Sequence, residues 1–98
     1  MATETESEAE QQRVDRWLWH ARFFKNRALA TSFAQSGKLR INKERIGKAS
    51  RRLRIGDVLT FAQGTRIRVI KIRGFALRRG SVPEAQLLYE DLDTLPHA

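Results

Sequence analysis

The chain has no cysteine, and only two prolines and one methionine in 98 residues. Without cysteine there is no disulfide framework, no thiolate metal site and no cysteine nucleophile. That suits a reducing compartment, and the expected location is the cytoplasm. No apolar run approaches the about 20 residues that cross a bilayer. The acidic N-terminus lacks the apolar core of a secretory signal, so no membrane contact is expected. Histidine is scarce too: His20 and His97 stand far apart with no ligand types spaced around them, and no metal site is expected. Acidic groups are scarcest in the middle. Residues 13–82 hold all 19 Lys and Arg against Asp15, Glu44 and Asp57, a net +16, while residues 1–12 and 83–98 each carry −4. So few carboxylates leave no paired acid–base chemistry, and the chain reads as a binding protein without catalytic residues or cofactors. A segment this cationic repels itself unless a polyanion is near. Nucleic acid is the polyanion whose binding counterion release would drive.

At this length one modest core is all that folding can bury. Residues 1–12 (MATETESEAEQQ) have almost no large apolar groups and are expected to be a disordered acidic tail. A first helix is predicted over 13–21, because Val14, Trp17, Leu18 and Ala21 fall at i, i+3, i+4 and i+7. Phe23 and Phe24 should close the core beneath a basic corner. Asn26 is placed to cap a second helix that runs to about residue 36, and Gly37 to end it in a left-handed turn. Residues 38–42 alternate, with Leu39 and Ile41 on one side and Lys38, Arg40 and Asn42 on the other, the pattern of a half-buried strand. Residues 43–54 (KERIGKASRRLR) read as a basic loop with six cations, pinned by Ile46 and Leu53. Gly56-Asp57 then turns into a hairpin over 58–73 with Gly64 at its tip. The apolar phase slips between Val69 and Ile70, which predicts a bulge. A loop over 74–82 should expose Arg78 and Arg79. Pro83 opens a predicted C-terminal helix through PEAQLLYEDL, docked by Leu87, Leu88 and Tyr89.

The order helix, basic corner, helix, glycine, strand, basic loop, Gly-Asp, strand resembles the S-four domain, the αL RNA-binding motif. The residues that carry the likeness are Arg13-Val14-Asp15, Leu18, Arg22, Arg27-Ala28, Gly37, the 39–42 strand and Gly56-Asp57, over about residues 13–62. Trp17-Leu18-Trp19, then Ala21-Arg22-Phe23-Phe24-Lys25 and the late Arg pair before Pro-Glu-Ala-Gln-Leu-Leu-Tyr-Glu, are similar to the bacterial heat-shock protein 15 family. The resemblance implies an α+β fold: one S-four-type domain over 13–82, with two N-terminal helices on a small, mostly antiparallel sheet, and a short C-terminal helix with a frayed acidic tail over 83–98. It also implies binding to ribosomal RNA on large ribosomal subunits, stalled ones with a nascent chain on tRNA, and help in recycling them. Nothing in the sequence signals an obligate oligomer, so a monomer is expected. The rival readings are a general RNA- or DNA-binding module or nucleic-acid chaperone, and the RNA-binding accessory of an RNA-modifying enzyme.

The candidate contacts follow the motif. Arg13, Arg16, Arg22, Lys25 and Arg27 flank the corner, and Arg can donate bidentately to phosphate while Asn26 adds a hydrogen bond. Lys38, Arg40, Asn42, Lys43 and Arg45 would extend the surface along the strand, and Lys48, Arg51 and Arg52 would border it. The plain alternative is a solvated charged face. Asp15 either orients neighbouring guanidiniums or belongs to the contact itself. Trp19 lies off the apolar stripe, open to base stacking or to packing against the C-terminal segment. The resemblance, not the charge, selects RNA over DNA.

Overall fold

A computed structural model describes residues 11–92. Strand β1 (Gln11–Arg13) leads into helix α1 (Val14–His20), and helix α2 (Arg27–Gln35) follows a tight corner. Then come β2 (Leu39–Ile41), β3 (Glu44–Ile46), β4 (Arg52–Arg54), β5 (Val58–Gln63), β6 (Arg66–Ile72), the short helix α3 (Val82–Gln86) and β7 (Tyr89–Asp91). Five strands form one antiparallel sheet in the order β3-β2-β5-β6-β7, and β1 pairs with β4 in a separate two-stranded ribbon. The α+β class and the two helices on an antiparallel sheet are as the sequence predicts.

The stripe Val14, Trp17, Leu18 and Ala21 is buried, and it meets Ala30 and Ala34 of α2, whose small side chains let the helices approach closely. Beneath them lie Leu39, Ile41, Leu59, Phe61, Ile70 and Ile72, alternate residues from one face of the sheet. Phe23 seals the corner, its ring 6.0 Å from Trp17, 5.6 Å from Phe61 and 4.9 Å from Tyr89.

Helix α1 ends in a Schellman turn. Phe23 N donates to Leu18 O and Arg22 N to Trp19 O, both at 3.0 Å. The left-handed position is occupied by Arg22, at φ 66°, where glycine is usual. A non-glycine residue there costs roughly 1–2 kcal/mol. The conformation sends the Arg22 Nε to Gly80 O at 2.7 Å. Arg79 returns the contact, donating to Trp19 O at 3.1 Å and Phe24 O at 3.3 Å. The two arginines clasp the corner to the 74–81 segment. Helix α2 starts as predicted, with Asn26 accepting from Leu29 N at 2.9 Å, and Gly37 follows its end at φ 82°.

Five expectations are corrected. Residues Gln11 and Gln12 belong to β1 rather than to a disordered tail; the rest of that tail, residues 1–10, lies outside the described residues, as do 93–98 with His97. The 43–54 loop contains β3 and β4. A two-residue turn at Asn42-Lys43, with φ 51° and 74°, folds β3 directly back on β2, and Asn is among the few residues that accept such angles. There is no bulge in β6, whose register with β5 runs unbroken from Val58↔Lys71 to Gln63↔Arg66. The apolar phase slips because Arg68 takes a place on the core face, 5.3 Å above the Phe23 ring and 2.9 Å from Asp91. Arg79 is half-buried by its clasp, and only Arg78 of the pair is exposed. Finally, the last helix stops at Gln86, and Tyr89–Asp91 pairs with β6 instead. Leu88 docks and Leu87 stays 78% exposed. The start of α3 carries a capping box, Ser81 with Glu84, that its Ser-x-x-Glu spacing announces.

Candidate nucleic-acid interface

Asp15 is the centre of the cationic face. It sits in the first turn of α1, where the helix dipole favours a negative charge, and it is 1% exposed. Its carboxylate accepts from Arg13 Nε and Nη2 at 3.0 Å each, from Thr31 Oγ1 at 2.8 Å and from Arg16 N at 2.7 Å. Arg27 stands 3.7 Å away. Burial pushes the carboxyl pKa up, but the hydrogen bonds from Arg13 and Thr31, with the charges of Arg13 and Arg27, outweigh it and hold Asp15 below the usual carboxylate range. The group is therefore an anion that ties β1, α1 and α2 together. It fixes two guanidiniums, those of Arg13 and Arg27, whose side chains remain 41% exposed.

The 47–52 segment is held against this centre by its backbone. Val14 N donates to Arg51 O at 2.8 Å and Asp15 N to Ala49 O at 3.4 Å. Ala49, buried, lets that approach occur. Two cationic hollows result. Arg13, Arg16 and Arg52 line a cavity of about 300 Å³ with Gln11, Gln12 and Leu77. Arg45, Lys48 and Arg51 line another of about 320 Å³ beside Gly47. Among the described residues, no acid lies within ion-pair reach of Arg16, Lys25, Lys48, Arg51 or Arg52.

The remaining sequence candidates separate. Lys25 is exposed at the corner, next to a helix start that carries no acid in its first turn. Asn26 commits its side-chain oxygen to the cap, and Arg22 commits its Nε to Gly80. Asn42 spends both amide atoms inside the protein, donating to Asp57 Oδ1 at 3.1 Å and accepting from Val58 N at 2.9 Å. Lys43 projects from the turn. Arg40 lies exposed on the sheet face opposite Leu39 and Ile41, so it points away from the helices, and Lys38 is exposed just before the strand. Arg45 stands directly across from Arg40 yet reaches back toward Gly37, its Cδ 3.8 Å from where a Cβ there would sit. Trp19 packs against the C-terminal segment, with the Arg79 guanidinium 5.9 Å above its ring. The sequence reading missed Gln12 and Leu77. Their membership of a basic hollow depends on a long-range approach that no local pattern announces.

His20, buried beside this face, takes no part in it. Its Nδ1 lies 3.0 Å from Ala76 O, so Nδ1 carries the proton and donates. Burial pushes the imidazole pKa down from the ordinary 6.5; the Ala76 bond opposes that, and the charges of Arg16 and Arg27 reinforce it. The unfolded chain therefore binds more protons than the fold just below pH 6.5, and stability falls as pH drops through that window. Thermal scans between about pH 7 and 5.5 should show a falling midpoint, with a flatter slope in His20→Gln. An equal slope in both proteins would place the titrating group elsewhere.

Comparison with known proteins agrees with this architecture. The profile of the S4 domain matches residues 12–59, the stretch from β1 into β5. The chain is 40% identical to the heat shock protein 15 homolog of Haemophilus influenzae over 84% of its length and 62% of that protein. It is 38% identical to heat shock protein 15 of Escherichia coli K12 over 88% of its length and 64% of that protein. The chain thus spans under two thirds of these curated relatives. The solved structure of heat shock protein 15 from Vibrio cholerae, a trimer, superposes with a TM-score of 0.78 at 40% identity, covering 84% of this chain and 82% of that one. Fold and site define an S4-domain protein with an added C-terminal segment clasped to its helical corner. The chain belongs to the heat shock protein 15 family.

Proposed function

We propose that this chain binds structured ribosomal RNA on the large ribosomal subunit, and that it serves the recycling of stalled subunits carrying a nascent chain on tRNA. The observation that carries the RNA-binding part is the ordered cationic face around Asp15: two oriented guanidiniums, two basic hollows, and a helix start without an acid, with every cation of that face inside the S4 domain match. Arginines held in fixed geometry suit phosphate oxygens, and a surface so poor in acids gains affinity by displacing counterions. Membership of the heat shock protein 15 family supports the ribosomal target. Lys25 and Lys48 are both exposed and without ion-pair partners among the described residues, so charge reversal there should leave the fold intact. Lys25→Glu with Lys48→Glu should abolish co-sedimentation with large subunits while the far-ultraviolet dichroism is unchanged; full co-sedimentation would reject the site. The trimeric assembly of the Vibrio cholerae relative sets a trimer against the expected monomer for this chain, and sedimentation equilibrium of the free protein separates them.

A further inference from the structure

The hollow between the β1–β4 ribbon and the 74–81 segment has a chemistry that RNA binding in general does not require. Arg13 and Arg52 are directly opposed across the ribbon, a like-charge pairing that destabilises a sheet. Asp15 neutralises Arg13, but Arg16 and Arg52 have no partner among the described residues. One wall is apolar. Leu77, 89% exposed, stands at the rim, and it is held there from below: Gln12 is 8% exposed and its Nε2 donates to Ala76 O at 2.8 Å. Gln12 Oε1, turned the other way by that bond, has no hydrogen-bond partner. A cavity of about 300 Å³ is at the small end for ligand sites and too small for a duplex.

We infer that this hollow takes a single unpaired nucleotide of the bound RNA, its phosphate on Arg16 and Arg52 and its sugar and base against Leu77. This rests on the RNA-binding reading and sharpens it: the protein would select a bulge or a strand end beside a helix, where a nucleotide is free to leave the stack. Arg52, left without an acid while Asp15 engages Arg13, gains its counter-charge when a phosphate arrives. The 74–81 segment, outside the S4 domain match, becomes part of the reading surface.

The test compares a perfect RNA duplex with the same duplex carrying a one-nucleotide bulge, titrated into the full chain. The bulged RNA should bind about fivefold more tightly, the scale expected for covering half a leucine side chain. Leu77→Gln should bring the affinities for the two RNAs within about twofold of each other. Arg52→Gln should weaken binding, make the salt dependence shallower by about one unit, and leave the unfolding midpoint at or slightly above that of the parent. Equal binding of both RNAs by the parent, a bulge preference that survives Leu77→Gln, or an Arg52→Gln variant that loses stability together with affinity would each overturn the subsite. In those cases duplex binding that still depends on Lys25 and Lys48 leaves the general RNA reading standing. Failure of the parent to bind either RNA would remove both.

Discussion

Asp15→Ala should lower the unfolding midpoint by roughly 10–20 °C. The carboxylate accepts four hydrogen bonds and joins three elements. Removing one partner of a fully buried ion pair costs about 3–5 kcal/mol. Here Arg13 and Arg27 are each 41% exposed and regain water, so a smaller loss of about 2–3 kcal/mol is expected. In a domain of this size each kcal/mol moves the midpoint by about 4–8 °C. Binding separates two roles for the residue. The variant gains one unit of positive charge, so a surface working by charge alone would bind RNA more tightly. A surface that depends on ordered guanidiniums binds more weakly, and that is the expected result. Denaturant unfolding and an RNA titration on the same sample read both quantities.

Trp17→Ala should remove about half of the protein's stability. The indole is wholly buried, stacks 6.0 Å from Phe23, meets Tyr89 edge-on at 6.2 Å, and donates from Nε1 to Gly74 O at 2.9 Å. Truncating a buried tryptophan costs about 3–5 kcal/mol, and the Gly74 carbonyl is left without its donor. Domains of this size have about 5–10 kcal/mol in all. The urea midpoint should fall by about half with little change in slope. Trp19 is the other tryptophan in the sequence and remains as the fluorescent probe. A loss under about 1 kcal/mol would mean that the junction of helix, sheet and 74–81 segment is not packed as described.

The helical half of the fold was legible because its signals are local. The Val14-to-Ala21 spacing, the Asn26 cap and the glycine at position 37 each act within one turn of chain. The sheet was harder. The Asn42-Lys43 turn lacks the glycine that usually marks a two-residue hairpin, so β3 was hidden in what looked like a basic loop. Arg68 broke the apolar alternation of β6, because its stem and charge cover Phe23 and meet Asp91 from a core-facing position. Leu88 and Tyr89 continue a helical pattern in sequence but are drawn onto the sheet edge by β6. For the site, charge marked the cations without showing which ones gather. Asp15 collects Arg13 and Arg27, and the backbone bonds to Arg51 and Ala49 bring in the basic segment. Arg22 and Asn42, both exposed, spend side-chain atoms on hydrogen bonds within the chain from a left-handed φ that composition does not reveal.

The most direct test of the cationic face is the salt dependence of binding to a structured ribosomal RNA fragment. The logarithm of the association constant should fall linearly with the logarithm of salt concentration, and neutralising Lys25 and Lys48 together as glutamines should make that line shallower by about 2 units, two phosphate contacts removed. Parallel lines for the parent and the doubly neutralised protein would contradict the account.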